Sequence, residues 1–169
     1  GNQKGLQNYK ELRRIAFSIF FLGIILATIF AILFFIFHKI LPTIYVDLND
    51  KTNYADNMEV VSIASKLLLA AAFFQISDSI QVLVLGALRG LQDVKIPTIL
   101  TFISYWVVGF PISYFLGKEE MYGSFGIWLG LLAGLTTASI LLFIRFNRLT
   151  LKLINEKNDG ETNLTNLQV

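Results

Sequence analysis

Between Arg14 and His38 lie 23 residues (15–37), none of which carries a charge. Wound as an α-helix at about 1.5 Å per residue, this run is roughly 34 Å long, enough to cross about 30 Å of bilayer hydrocarbon. The rest of the chain agrees with such a segment. Of its 169 residues 54% are hydrophobic and only 15% charged, and the mean hydropathy is +0.61, outside the range of a soluble domain. Fifteen Phe and few Gly or Pro interruptions favour helices over a barrel, whose alternating segments of roughly ten residues are not seen. The fold class expected is all-α, a polytopic transmembrane bundle of four spans. With no cysteine, disulfides, thiolate metal sites and thiol nucleophiles are excluded. His38 stands alone at a span end and reads as an interfacial side chain, because metal sites need several convergent donors.

Taken in order, residues 1–14 are polar and basic and read as a membrane-proximal loop before the first span, 15–37. Pro42 follows, then an acidic, Asn-rich loop over 47–59. As a calcium-binding loop starting at Asp47 it fails: Thr52 stands where a Gly is needed and Met58 where a bidentate Glu is needed. The second span is expected over about 60–88, its helix starting near Asp56 as N-cap with Glu59 three residues on. It closes on Gly86 and Gly90, and a short polar turn returns the chain to the membrane at Pro97, a residue well tolerated in a first helical turn. The third span, 98–116, contains Pro111, which removes one backbone hydrogen bond and predicts a kink near Val107 or Val108, as hinge or as static bend.

In the fourth span, 125–144, Gly126, Gly130, Gly134 and Ala138 recur every four residues down one face. Small residues at this spacing let helix backbones approach closely, so these read as packing residues. Arg145, Arg148 and Lys152 mark the exit. Residues 1–154 are thus taken as the membrane region and 155–169 as a disordered cytoplasmic tail, whose Asn163 sequon would stay unmodified in that compartment. One side of the membrane receives Lys4, Lys10, Arg13, Arg14, Arg89, Lys95, Arg145, Arg148, Lys152 and Lys157; the other receives Lys39, Lys51, Lys66 and Lys118. Ten cations against four put both termini in the cytoplasm. A chain that opens without Met inside a polar loop reads as part of a longer polypeptide.

The second span carries the residue most in need of explanation. Asp78 lies twelve residues after Lys66 and eleven before Arg89, near the midplane if those cations mark the headgroup levels. A central charge there costs roughly 2.5 to 3.5 kcal/mol on insertion scales. Gln75 and Gln81, three positions to either side, lie about 60° away around the helix, so the three polar side chains share a face. That face is expected to point into a bundle or a water-filled cavity. Either Asp78 is a neutral acid bonded between helices, or it is a proton or ion site, the usual role of an intramembrane acid.

The run FFQISDSIQVLVLGALRGLQDVKIP, followed by FISYWVVGFPISYFLG and GSFGIWLGLLAGLTTASILL, resembles the last part of the multidrug and toxic compound extrusion (MATE) family, particularly its NorM-like branch. The resemblance covers nearly the whole chain. FQxxDxxQ, GALRG and YWxxGxP occur in the family's order and spacing, and the basic opening resembles the loop before its ninth span. The four spans would be nine to twelve of twelve, the C-terminal part of the transporter. The resemblance implies cation-coupled export of organic, often cationic compounds across the cell membrane, with Asp78 as the acidic cation site and Na⁺ or H⁺ as coupling ion. Na⁺ at Asp78 is the one metal it implies, and no other cofactor is expected. Some members place a Tyr four residues before that acid; here Phe74 stands there and removes a possible oxygen ligand. The implied partners are a small toxic organic compound, membrane lipid and the remaining spans of the same transporter, with no nucleic acid.

Two other classes compete. A lipid-linked saccharide flippase of the same wider superfamily more often carries cationic residues in its cavity, and none occurs over 67–88 or 98–116. A non-transporting membrane scaffold needs only the glycine seam. An intramembrane enzyme is not expected: the spans hold no His pair, no GxSxG, no second acid and no Cys.

Overall fold

The computed structural model describes residues 2–46, 53–118 and 122–166. Among them are helices and turns and no strand: α1 (Asn2–Gly5), α2 (Tyr9–Phe37), a 3₁₀ turn (Leu41–Ile44), α3 (Tyr54–Gly90), α4 (Lys95–Ile103), a π-helical segment (Ser104–Gly109), α5 (Phe110–Leu116) and α6 (Gly123–Asn166). α4, the π segment and α5 run on without a break. Four lengths are therefore long and apolar enough to cross a membrane: Tyr9–Phe37, Tyr54–Gly90, Lys95–Leu116 and Gly123–Gly160. The molecule is a multi-pass, all-α membrane protein. The start of the acidic loop tested for calcium, 47–52, lies outside the described residues.

α2, α3 and α6 outrun their apolar stretches, for identifiable reasons. α2 begins at Tyr9 instead of residue 15, so much of the expected basic loop is helix. Asn8 caps it, its side-chain oxygen accepting the Glu11 N–H at 3.2 Å, and Glu11 in the first turn suits the positive end of the helix dipole. α3 begins at Tyr54 after Asn53, so Asp56 is a first-turn residue and not the cap. At its other end Gln92 takes φ +61, and the Asp93 N–H returns to the Leu88 carbonyl at 3.0 Å, closing the helix as a left-handed cap does. α6 continues through Asn166, past residue 155 where a disordered tail was expected. The pair Lys152–Glu156, 3.6 Å apart one turn on, supports that extension.

Pro111 does not interrupt the third span. Ahead of it the helix widens to π pitch, and the Phe110 N–H reaches back five residues to the Tyr105 carbonyl. The wider turn lies directly ahead of the proline, which has no N–H of its own to donate.

α6 lies between α3 and the third span, and α2 packs along the other flank of α3. The basic ends are drawn together. Ala16, Phe20, Val84, Leu88, Leu91, Leu142 and Phe146 form one buried cluster, with Phe20 edge-on to Phe146 at 5.3 Å. Around it Arg13 donates to Thr150 Oγ1 at 2.9 Å and to the Asn147 side-chain oxygen. Arg145 pairs with Asp93 at 2.8 Å, and Lys4 Nζ donates to the Leu91 carbonyl at 2.7 Å. Elsewhere Phe21, Leu22 and Phe35 face outward, exposed, as suits helices surrounded by hydrocarbon.

The glycine seam faces the third span. A methyl group added at Gly126 would run into the Leu116 carbonyl, and one at Gly130 into Ser113. At Gly134 it would lie 3.1 Å from Gly109 Cα and 3.2 Å from the Tyr105 ring. Gly130→Leu is therefore expected to force two backbones apart and to cost at least about 1–3 kcal/mol. Leu131→Ile, at an exposed neighbour, should change stability by less than about 0.5 kcal/mol. Thermal unfolding of the purified protein in detergent checks this; equal midpoints for the two variants would show that the seam carries no contact.

Candidate functional site

α3 forms over its middle because Leu, Ala, Ile and Gln dominate it and no Gly or Pro intervenes before Gly86. Its buried residues include Ala70, Ala72, Val84 and Leu88. Asp78, Val82, Gly86 and Arg89 form an exposed stripe, and a methyl group at Gly86 would meet nothing within 4 Å. The three polar residues singled out by spacing are on that side of the helix, with Asp78 exposed and Gln75 and Gln81 half-buried. No other described helix covers Asp78.

Their bonding differs. Neither Asp78 nor Gln75 has a hydrogen bond or ion pair among the described residues, whereas Gln81 accepts a hydrogen bond from the Tyr105 hydroxyl at 3.2 Å. Tyr105, in the π segment, also lies within electrostatic reach of the Asp78 carboxylate. Phe74, where a tyrosine would offer an oxygen, packs edge-on against Trp128 of α6 with ring centroids 5.3 Å apart.

A second set of polar contacts fastens α3 to α6. Ser77 and Thr136 hydroxyls are 3.1 Å apart. The Ser139 hydroxyl, 4% exposed, shares its hydrogen between the Ser77 carbonyl at 2.8 Å and the Leu135 carbonyl at 2.9 Å. Asp78 thus sits one residue beyond a stitched position. Sequence reasoning missed Ser77, Tyr105, Thr136 and Ser139. A signal was present for each: Ser77 adjoins the acid, Thr136 and Ser139 are one turn apart, and Tyr105 is a polar-tipped aromatic in mid-span.

Between α2 and α3 a cavity of about 590 Å³ opens near the basic end, lined by Leu12, Ala16, Phe20, Val82, Gly86 and Gly90 among others. It does not include Asp78. Among the described residues no three His, Cys, Asp or Glu side chains cluster as for a metal ion. What this face of α3 offers is one carboxylate flanked by two amides.

A sequence profile of the MatE family matches residues 1–115. Among curated proteins, the chain is 37% identical over 149 residues to the multidrug resistance protein MdtK of Proteus mirabilis, covering 86% of this chain and 31% of that protein. It is 48% identical over 100 residues to a probable multidrug resistance protein NorM of Xanthomonas axonopodis pv. citri, 59% of this chain and 22% of that one. To the multidrug resistance protein NorM of Aliivibrio fischeri it is 40% identical over 127 residues, 73% and 26% of the two chains. The chain therefore spans less than a third of the length of each of these relatives.

The stitch between α3 and α6 is open to measurement. Ser77→Ala and Thr136→Val should each lower stability by about 0.5–1.5 kcal/mol, with a coupling energy near 0.6 kcal/mol, about what such bonds average within membranes. A double-mutant cycle on unfolding in mixed micelles reads it. Additive losses would mean that the two hydroxyls do not act on each other.

Proposed function

Because this chain belongs to the MatE family, we propose that it forms spans nine to twelve of a cation-coupled exporter of organic, often cationic compounds, with Asp78 as the carboxylate that binds the coupling ion. The observation that carries the reading is a single acid, unpaired among the described residues, in the middle of an apolar helix and on a face its own bundle leaves uncovered. The remaining spans of the transporter supply that cover and the wall opposite Asp78. The named multidrug resistance relatives support the export role.

The physical step is neutralisation. An empty, ionised carboxylate needs water or donors, so it holds its face toward an aqueous opening; loading H⁺ or Na⁺ removes the net charge and lowers the cost of closing apolar walls over it. The cation thereby favours one arrangement of the transporter over the other through its differential affinity, and the exported compound favours the alternative. Cation entry and compound exit are linked by that shared equilibrium. The basic ends of the four spans face the cytoplasm, as positive charge directs.

Since the chain has no cysteine, orientation can be read with single introduced ones. In the complete transporter, cysteine at Asn49 should react with an impermeant thiol reagent added to intact cells, and cysteine at Asn158 should not. The reverse pattern overturns the orientation.

Asp78→Asn preserves size and hydrogen bonding and abolishes cation exchange. The complete transporter with this change should reach the membrane at normal levels and lose gradient-driven export at least about tenfold, the scale of a coupling free energy of 1–3 kcal/mol. Gln75→Ala and Gln81→Ala should alter cation dependence without abolishing export. The measurement is efflux from proteoliposomes with Na⁺ and pH gradients imposed separately. Parental export by Asp78→Asn protein refutes the role.

A further inference from the structure

The cavity between α2 and α3 combines an apolar wall with unneutralised charge at its rim. It measures about 590 Å³, none of its lining residues is charged, and Gln3 brings the only polar side chain among them. On α3 the wall includes Gly86, where a methyl group would meet nothing within 4 Å, whereas one at Gly126 or Gly130 would run into the third span. Helix packing therefore does not claim this space. At its basic end the cavity is bounded by Gln3 and Gly90, and two cations stand there. Lys4 donates to the Leu91 carbonyl at 2.7 Å and to Gln92 Oε1 at 2.9 Å, both neutral oxygens, and an ammonium has a third donor. Arg89, three residues beyond Gly86 on the same side of α3, is exposed. The ion-paired acids of the described residues, Glu11, Asp93 and Glu156, are bonded to Arg14, Arg145 and Lys152, so neither Lys4 nor Arg89 has a counter-ion there. Gln3 adds a buried side-chain oxygen with no hydrogen-bond partner.

We propose that this cavity holds an acyl chain of an anionic glycerophospholipid, whose phosphate takes the free donors of Lys4 and Arg89. The wall alone selects nothing, because apolar side chains pack as well against one lipid tail as another; the rim selects. A phosphate accepts from an ammonium and, through two oxygens, from a guanidinium, and basic pockets between membrane helices bind such head groups. A volume of about 590 Å³ lies within the range of small-molecule sites, about 300–1,000 Å³. The sign of the rim charge argues against other occupants. A cationic compound finds no carboxylate in the lining, and a further apolar helix would leave both cations without a counter-ion. Gly86 lies about two helical turns from Asp78, and Asp78 is no part of the cavity, so the lipid site stands whether or not that acid exchanges a cation.

The test is lipid binding by the complete transporter, purified in detergent and titrated with phosphatidylglycerol or, separately, with phosphatidylcholine, the bound lipid being counted by native mass spectrometry. Phosphatidylglycerol should bind the more tightly. Lys4→Gln and Arg89→Gln should each weaken it about fivefold, the equivalent of about 1 kcal/mol per cation, and should weaken phosphatidylcholine less. Gly86→Leu fills the cavity from α3 without a clash, so it should remove one bound lipid of either kind and leave the lipid-free thermal midpoint unchanged. Equal affinity of the parent for the two lipids, or parental binding of phosphatidylglycerol by Arg89→Gln or Gly86→Leu protein, overturns the proposal. A lipid-free midpoint lowered by Gly86→Leu would show a helix seated in the cavity, and displacement of phosphatidylglycerol by a cationic dye would assign it to the exported compound; either sinks the lipid site. If Lys4→Gln protein fails to fold for want of its bonds to Leu91 and Gln92, Arg89→Gln decides.

Discussion

Where two helix backbones touch, at Gly109 and Gly134, a methyl group on either would lie within about 3.3 Å of the other helix. The arrangement depends on this contact because apolar side chains gain nothing by leaving hydrocarbon for one another; association in a bilayer comes from close van der Waals fit and from polar bonds. Glycines on α6 supply the fit. Once the third span lies that close, Ser113 reaches the Ile127 carbonyl at 3.1 Å, and Tyr105 is carried across to α3. Pro111 belongs to the same device, since the π turn ahead of it contains both Tyr105 and Gly109.

The second constraint is at the basic ends. Arg13, Lys4 and the pair Asp93–Arg145 each join segments far apart in sequence, and beneath them Leu88, Leu142 and Phe146 are wholly buried. A partly buried ion pair adds modest net stability, yet it fixes which side chains meet. With α3 held at its end by these contacts and at its middle by Ser77, Thr136 and Ser139, the stripe bearing Asp78 is presented on a supported helix. On the proposed reading, a site that must discriminate an empty carboxylate from a loaded one needs such support.

Hydropathy made the four spans legible because hydrocarbon enforces a length and forbids charge. The i±3 spacing likewise placed Gln75, Asp78 and Gln81 on one side of α3, and the four-residue repeat marked Gly126, Gly130 and Gly134 as a seam, though not its partner. What escaped was decided outside the hydrocarbon or between helices. Charges at Lys10, Glu11, Arg13 and Arg14 read as the end of a span, but helix persists past the membrane surface when a cap and a tertiary contact such as Asn8 and the Arg13–Thr150 bond support it. The helical course of α6 to Asn166 was hidden by a polar composition that suits a helix as well as a loose tail. The stitching hydroxyls were hard to single out for a different reason. Ser and Thr within a helix can bond their own carbonyls, as Thr137 does with Ala133 at 2.8 Å, so sequence does not separate those that bond across from those that bond back.

On the reading that Asp78 exchanges the coupling cation, its exposure within these four spans follows from the chemistry it has to perform. A carboxylate bonded on all sides inside its own bundle would have its protonation state settled by fixed donors, and no cation could come and go; one left bare in hydrocarbon would cost roughly 2.5 to 3.5 kcal/mol. Exchange requires an intermediate: a face open to water in one arrangement and closed by the other half of the transporter in the other, with enough local donor strength to tolerate the empty state. Beside Asp78, Gln81 is held by the Tyr105 hydroxyl, and the Tyr105 ring packs closely against Gly134. The packing seam and the helix face bearing Asp78, which look like separate features of the sequence, are joined through that one phenol.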